Sequence, residues 1–192
     1  MLRSVTIALA SALLVALTAG CGNSRTPLPS RSRPATPRVF RTLSYPASGV
    51  SLRAPRDWTV SPSHQAPLVT VLTSGTAVVA LSRFPRAEPL PVGPLAFMQA
   101  RRRLIGAARA RDPTLRLIRS GVATIAGTRA IELDAIERIA GALRRVRSTH
   151  AFVDGAELVL EEYAPIAAFH AVDHAVFSPL RRSLKLLPAG AG

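Results

Sequence analysis

The hydrophobic positions of this chain change period several times, and each change marks an element. Val50 and Leu52 alternate with Ser51 and Arg53, the two-residue period of a strand. Pro55-Arg56-Asp57 turns the chain into Trp58-Thr59-Val60. Leu68–Leu72 and Ala77–Leu81 are β-rich runs separated by Ser74-Gly75, which predicts a hairpin. Pro85, Pro89, Pro91 and Pro94 mark a loop. From Leu95 to about Arg111 the period becomes helical, with Phe97, Met98, Leu104, Ile105 and Ala108 on one side. Asp112-Pro113 ends that helix, because the residue before a proline avoids the helical region.

Alternation returns at Leu115 and Leu117, then at Ile131 and Leu133 after Gly127, with Ala140-Gly141 as the next turn. Leu143–Val153 and Ala156–Tyr163 meet at Asp154-Gly155, the strongest short hairpin signal in the chain. Pro165 stands where a second helix starts. Its buried stripe is predicted as Ile166, Phe169, Val172, Val176, Phe177 and Leu180. Leu184–Leu187 can return as a short strand, and no internal repeat is found. Strands, helix, strands and helix in that order predict an α+β domain: an antiparallel β-sheet flanked by two main helices.

The first twenty-one residues follow a different logic. Met1-Leu2-Arg3 leads into the apolar run Val5–Leu17, closed by Thr18-Ala19-Gly20-Cys21. A cationic start, an apolar run of roughly 7–15 residues and a small-residue close read as a secretory signal. The run falls short of the about 18 apolar residues that suggest a membrane span. Small residues just before a cysteine resemble the bacterial lipobox, although Thr18 stands where that motif prefers Leu, Val or Ile. In lipoproteins with the motif the cysteine is acylated and begins the mature chain. The resemblance therefore implies lipid attachment at Cys21, with palmitate-type acyl chains holding the protein to the extracytoplasmic face of the cell membrane. Two or three acyl chains make a durable anchor, where one holds only marginally.

The domain plan follows. Residues 1–20 are a lipoprotein signal peptide, 21–37 a lipidated Pro/Arg-rich tether, 38–188 one domain and 189–192 a tail. The tether contains Pro27, Pro29, Pro34 and Pro37 and lacks apolar periodicity, so it has nothing to build a core with. With Cys21 as the only cysteine, an internal disulfide is excluded, and the domain relies on its core.

Composition narrows the partners. The net charge is +14, carried almost wholly by arginine. Such a balance favours weak contact with anionic lipids or wall polymers. Export and the scarcity of aromatics argue against nucleic acid.

Three passages resemble the PsbP-like family: Tyr45–Trp58 (YPASGVSLRAPRDW), Ile125–Ala130 (IAGTRA) and Tyr163-Ala164-Pro165 before a helix. The likeness runs from about Leu43 to Leu187. It implies an α/β/α sandwich around an antiparallel sheet, often carried by bacterial lipoproteins. It implies no single activity and supplies no catalytic residue set.

Candidate chemistry is sparse. His170, Asp173 and His174 form HAVDH, whose two histidines at i and i+4 share a helix face and could hold a metal. No third ligand is evident, so we expect a solvated helix flank and no metal. No serine stands in a GxSxG elbow, and nothing in the sequence pairs one with a histidine. Glu161 and Glu162 are adjacent on a strand and point to opposite faces. Trp58 reads as a core anchor. Arg101 falls inside the apolar stripe of the first helix, where either its stem covers apolar surface and its head reaches water or its head meets a carboxylate, for which Asp173 is a candidate; Arg101, Arg102 and Arg103 cannot form one face.

These features predict a non-catalytic, membrane-anchored lipoprotein that binds an envelope protein or a ligand, without a cofactor. The alternative is a carrier holding a lipid or small hydrophobic molecule in a sheet–helix cleft. An exported hydrolase is the least supported class. A cleft large enough for a ligand would favour the carrier, and a packed core the partner module.

Overall fold

A computed structural model describes residues 33–63 and 65–187. The signal segment, Cys21 and residues 22–32 of the tether lie outside the described residues, as do Pro188 and the tail. Residues 33–37 form no helix or strand, and the Ala35 N–H donates to Ser74 Oγ at 2.8 Å.

Among the described residues, ten strands form two antiparallel sheets where the sequence pattern suggested one. The small sheet has the order β1 (Phe40–Tyr45), β2 (Val50–Pro55), β10 (Lys185–Leu186). The large sheet has the order β3 (Thr59–Pro62), β4 (Leu68–Ser74), β5 (Ala77–Pro85), β9 (Ala156–Pro165), β8 (Ala142–Val153), β7 (Thr128–Ile139), β6 (Arg116–Ile125). Pro55-Arg56-Asp57 causes the division. It stops β2 and passes the chain to β3 in the other sheet, with Trp58 2% exposed at the corner.

Two-residue turns set the register of the β6–β9 half. Ala126, Ala140 and Asp154 each take φ near +50°, and Gly127, Gly141 and Gly155 follow with φ of 74°, 79° and 68°. Two successive positive φ values make the tight hairpin turn that matches strand twist. Because side chains alternate between faces, even-numbered residues of β7 share one face with odd-numbered residues of β8 and even-numbered residues of β9.

Helix α1 (Gly93–Arg111) covers one face. Pro94 begins it where a missing N–H costs nothing, and Arg109 and Arg111 complement the dipole of its last turn. Phe97, Ala100, Leu104 and Ile105 pack on Ile131, Leu133 and Leu117. The other face carries the small sheet and a C-terminal helical run: α2 (Ile166–Val172), a π-helical turn (Asp173–Phe177) and α3 (Ser178–Ser183). The extra residue of the π turn brings the adjacent Val176 and Phe177 both into the core, at 1% and 0% exposure. Trp58 meets Phe177 edge-on at 6.4 Å. The predicted stripe fits except at Ile166, which is 46% exposed because it starts the helix at the end of β9.

Candidate functional site

The C-terminal run covers the middle of its sheet face and leaves the β6–β7 half partly open. A cleft of about 780 Å³ lies there, between that half of the sheet, α3 and β10. Ligand pockets commonly span about 300–1,000 Å³. Ala123, Ala126 and Gly127 keep its sheet wall low, and Leu184 and Leu186 form an apolar side. Arg182 and Lys185 are exposed at the helix side, and Glu132 and Thr149 come from the sheet.

A charge ladder runs beside the cleft on the same face. Glu162 of β9 pairs in register with Arg147 of β8, Arg147 with Asp134 of β7, and Asp134 with Arg119 of β6. Opposite charges directly across antiparallel strands stabilise their pairing. Arg145 donates to both Asp134 oxygens at 3.0 and 2.8 Å, and Arg119 reaches Glu132 at 2.8 Å. From the helix side, Asp173 accepts both prongs of Arg147, and Arg181 pairs with Glu162 and with Asp173. Arg145 and Arg147 also lie over the Phe169 ring, at 4.8 and 5.3 Å. Four carboxylates thus balance four guanidiniums: Glu132, Asp134, Glu162 and Asp173 against Arg119, Arg145, Arg147 and Arg181.

Burial decides how these groups titrate. It pushes the fully buried Glu162 carboxyl up to about 7, against the pull of Arg181 and Arg147. Burial also opposes ionisation of Asp134 and Asp173, but hydrogen bonds from Arg145 and Arg147 outweigh it and hold both below the usual carboxylate range. Among the described residues, Arg147 Nε, Thr149 Oγ1 and Glu162 Oε1 of the ladder strands are buried without a hydrogen-bond partner, as is Trp58 Nε1 at the corner.

The sequence-predicted residues separate widely. Asp173 turns inward to Arg147, while His170 and His174 are exposed on the outside of the run. Glu162 is buried on the ladder face, and Glu161 points to the α1 face. The expected Arg101–Asp173 pair does not form. Arg101 belongs to α1 and Asp173 to the opposite side of the sheet, so β7 and β8 stand between them. Arg101 is half-buried and makes no ion pair with a described residue, consistent with a stem lying on apolar surface and a hydrated head.

Serine and histidine do meet, contrary to the expectation from the sequence. On the α1 face, Ser148 Oγ lies 2.7 Å from His150 Nε2, and His150 Nδ1 lies 2.7 Å from Glu157 Oε1. Arg86 donates to the other Glu157 oxygen at 2.9 Å. His150 and Arg86 hold the Glu157 carboxyl below its ordinary value despite burial. This is the order of nucleophile, base and orienting acid, which the sequence did not show. Acyl transfer also needs donors for an oxyanion and room for a substrate. Ser148 lies mid-strand with β7 and β9 in register on both sides, so the N–H groups around it are committed to the ladders. The space between it and α1 is about 80 Å³. The row satisfies polar groups beneath a helix, and Ser148 itself opens onto little space.

No family model matches the sequence, and neither does any curated protein. Solved structures do resemble it. Cyanobacterial PsbP (CyanoP) from Synechocystis superposes with a TM-score of 0.59 at 10% identity, covering 77% of this chain and 92% of that one. The Ran-binding protein Mog1p of Saccharomyces cerevisiae gives 0.52 at 7% identity, over 78% and 96%. A protein of Bacteroides thetaiotaomicron gives 0.51 at 12% identity, over 78% of this chain and 49% of its own. At these identities the likeness establishes the fold: the chain has a PsbP-like α+β architecture.

Proposed function

We propose that the chain is a non-catalytic binding module whose ligand occupies the cleft between β6–β7 and α3–β10. The cleft itself carries the reading: about 780 Å³ of open space against a wall fixed by the charge ladder. A site needs rigid support, and the ladder supplies it from four strands and the C-terminal run. The lining is half polar, with Glu132, Thr149, Ser178 and Arg181 facing Leu184 and Leu186. That speaks against a carrier of a purely hydrophobic molecule and for a ligand with a polar group. The signal-like stretch ending in Cys21 supports a lipid-anchored location at the extracytoplasmic face of the membrane. No helix among the described residues is long and apolar enough to cross a membrane.

Native mass spectrometry of the chain, extracted from its own membranes in mild detergent, tests the reading. One bound small molecule per chain is expected, absent from an Ala123→Trp variant that fills the cleft. A wild-type chain without bound mass, or equal occupancy in the variant, overturns it.

A further inference from the structure

Resting on that reading, we propose that the cleft is an anion site: it takes the phosphate- or carboxylate-type headgroup of its ligand, with Thr149 at the inner end and Arg182 and Lys185 at the mouth.

Two independent observations meet here. The first is an orphaned hydroxyl. Thr149 lines the cleft, is 2% exposed, and its Oγ1 has no partner. A buried polar group normally finds a hydrogen bond, because leaving it unpaired is costly. Thr149 does not turn to the ladder: Glu132 accepts from Arg119, and Arg147 from the same strand is engaged by Asp173. Its hydroxyl is left without a partner in the wall of the cleft.

The second observation is charge. Within the ladder four carboxylates face four guanidiniums, and Glu162, raised to about 7, is the one carboxylate that is partly protonated near neutral pH, so the ladder adds no net negative field. Arg182 and Lys185 lie outside it. Both are exposed, both line the cleft, and neither makes an ion pair with a described residue. Glu132 is the carboxylate in the lining, and Arg119 and Arg147 flank it at 2.8 and 3.8 Å, which offsets its charge. The cleft therefore keeps an excess of positive charge. A hydroxyl donor at the inner end and two cations at the mouth match an oxyanion. The apolar side at Leu184 and Leu186 suits a short carbon chain attached to it.

The anion can come from a free metabolite or from a lipid headgroup, and the test separates the two. Residues 22–192 contain every described element. This chain is titrated with inorganic phosphate and with glycerol phosphate by calorimetry. It is then co-sedimented with phosphatidylglycerol vesicles and with phosphatidylcholine vesicles. Binding to the soluble anions assigns a free ligand. Binding only to phosphatidylglycerol assigns a headgroup. Both outcomes support the proposal if three variants behave as follows. Thr149→Val weakens binding by about tenfold while melting no lower than wild type, since it loses a hydroxyl that bonded nothing. Arg182→Ala with Lys185→Ala weakens it by more than tenfold. Arg102→Ala with Arg103→Ala, on the far side of the sheet, leaves it unchanged. Equal loss in the α1 and cleft variants shows general attraction to a strongly basic chain and overturns the proposal. No binding by any anion, with a neutral molecule found in the cleft by native mass spectrometry, overturns the anion assignment and keeps the cleft. An empty cleft in both experiments removes both.

Discussion

Arg147 of β8 and Asp173 of the π-helical turn form a two-pronged ion pair, at 2.5 and 3.2 Å, that fastens the C-terminal run to the large sheet. The Arg147 side chain is 6% exposed and that of Asp173 22%. Replacing Asp173 with Ala leaves a guanidinium buried without its principal partner. Breaking such a pair costs about 3–5 kcal/mol, and the partial exposure of Asp173 places this case near 3. Urea denaturation of Asp173→Ala measures it. A loss below about 1 kcal/mol would show that Glu162 and Glu132 hold Arg147 by themselves.

Glu162 gives the fold a pH dependence of unusual sign. Its carboxyl is raised from 4.5 to about 7 by burial, so the folded state binds a proton more readily than the unfolded chain. Its contribution is fully present below about 4.5 and is lost as pH rises through 7. Asp134 and Asp173, held low, act oppositely, and their stabilisation is lost as pH falls. In Glu162→Gln only the first effect disappears. The stability difference, wild type minus variant, should fall as pH rises from about 4.5 to 7. Denaturation across a pH series checks this; a difference that grows with pH means that Arg181 and Arg147 keep Glu162 charged.

How much of this is legible in the sequence depends on the element. The hairpins are, because Ala140-Gly141 and Asp154-Gly155 stand between alternating runs. The ladder is less visible, although the same turns encode it. Counting outward equally from Asp154-Gly155 seats Arg147 opposite Glu162, and from Ala140-Gly141 seats Asp134 opposite Arg147. Counting from Ala126-Gly127 seats Arg119 opposite Asp134. The same count shows Ser148 and His150 two apart on one face of β8, with Glu157 on that face of the next strand. What local pattern cannot convey is which helix covers which face. That is why the helical pattern matches Arg101 with Asp173, a residue on the wrong side of the sheet. The cleft is equally hidden, since it arises where α3 and β10 stop short of β6.

The Ser148–His150–Glu157 row separates a binding module from a hydrolase. With its N–H groups in the ladders and about 80 Å³ of space beside it, Ser148 should not react with a fluorophosphonate probe. Labelling of the wild type that is lost in Ser148→Ala would establish a reactive serine and remove the non-catalytic reading. Without a catalytic role, Ser148→Ala should cost about 1–3 kcal/mol of stability, because it leaves a buried His150 nitrogen unpaired.

The anchor is tested apart from the domain. Intact-mass analysis of membrane extracts should find a mature chain that begins at an acylated Cys21. Cys21→Ala should move the protein out of the membrane fraction. A mature chain that starts elsewhere, or acylation that survives the substitution, contradicts the lipoprotein reading.

Photo-crosslinking in intact membranes tests the central claim most directly, because it captures whatever molecule occupies the cleft. A diazirine-bearing residue replaces Ala123 inside the cleft, and in a second chain replaces Arg102 on the exposed side of α1. The account predicts a discrete adduct from position 123 and none from 102. Equal adducts from the two, or one from 102 alone, would contradict it and place the working surface on α1.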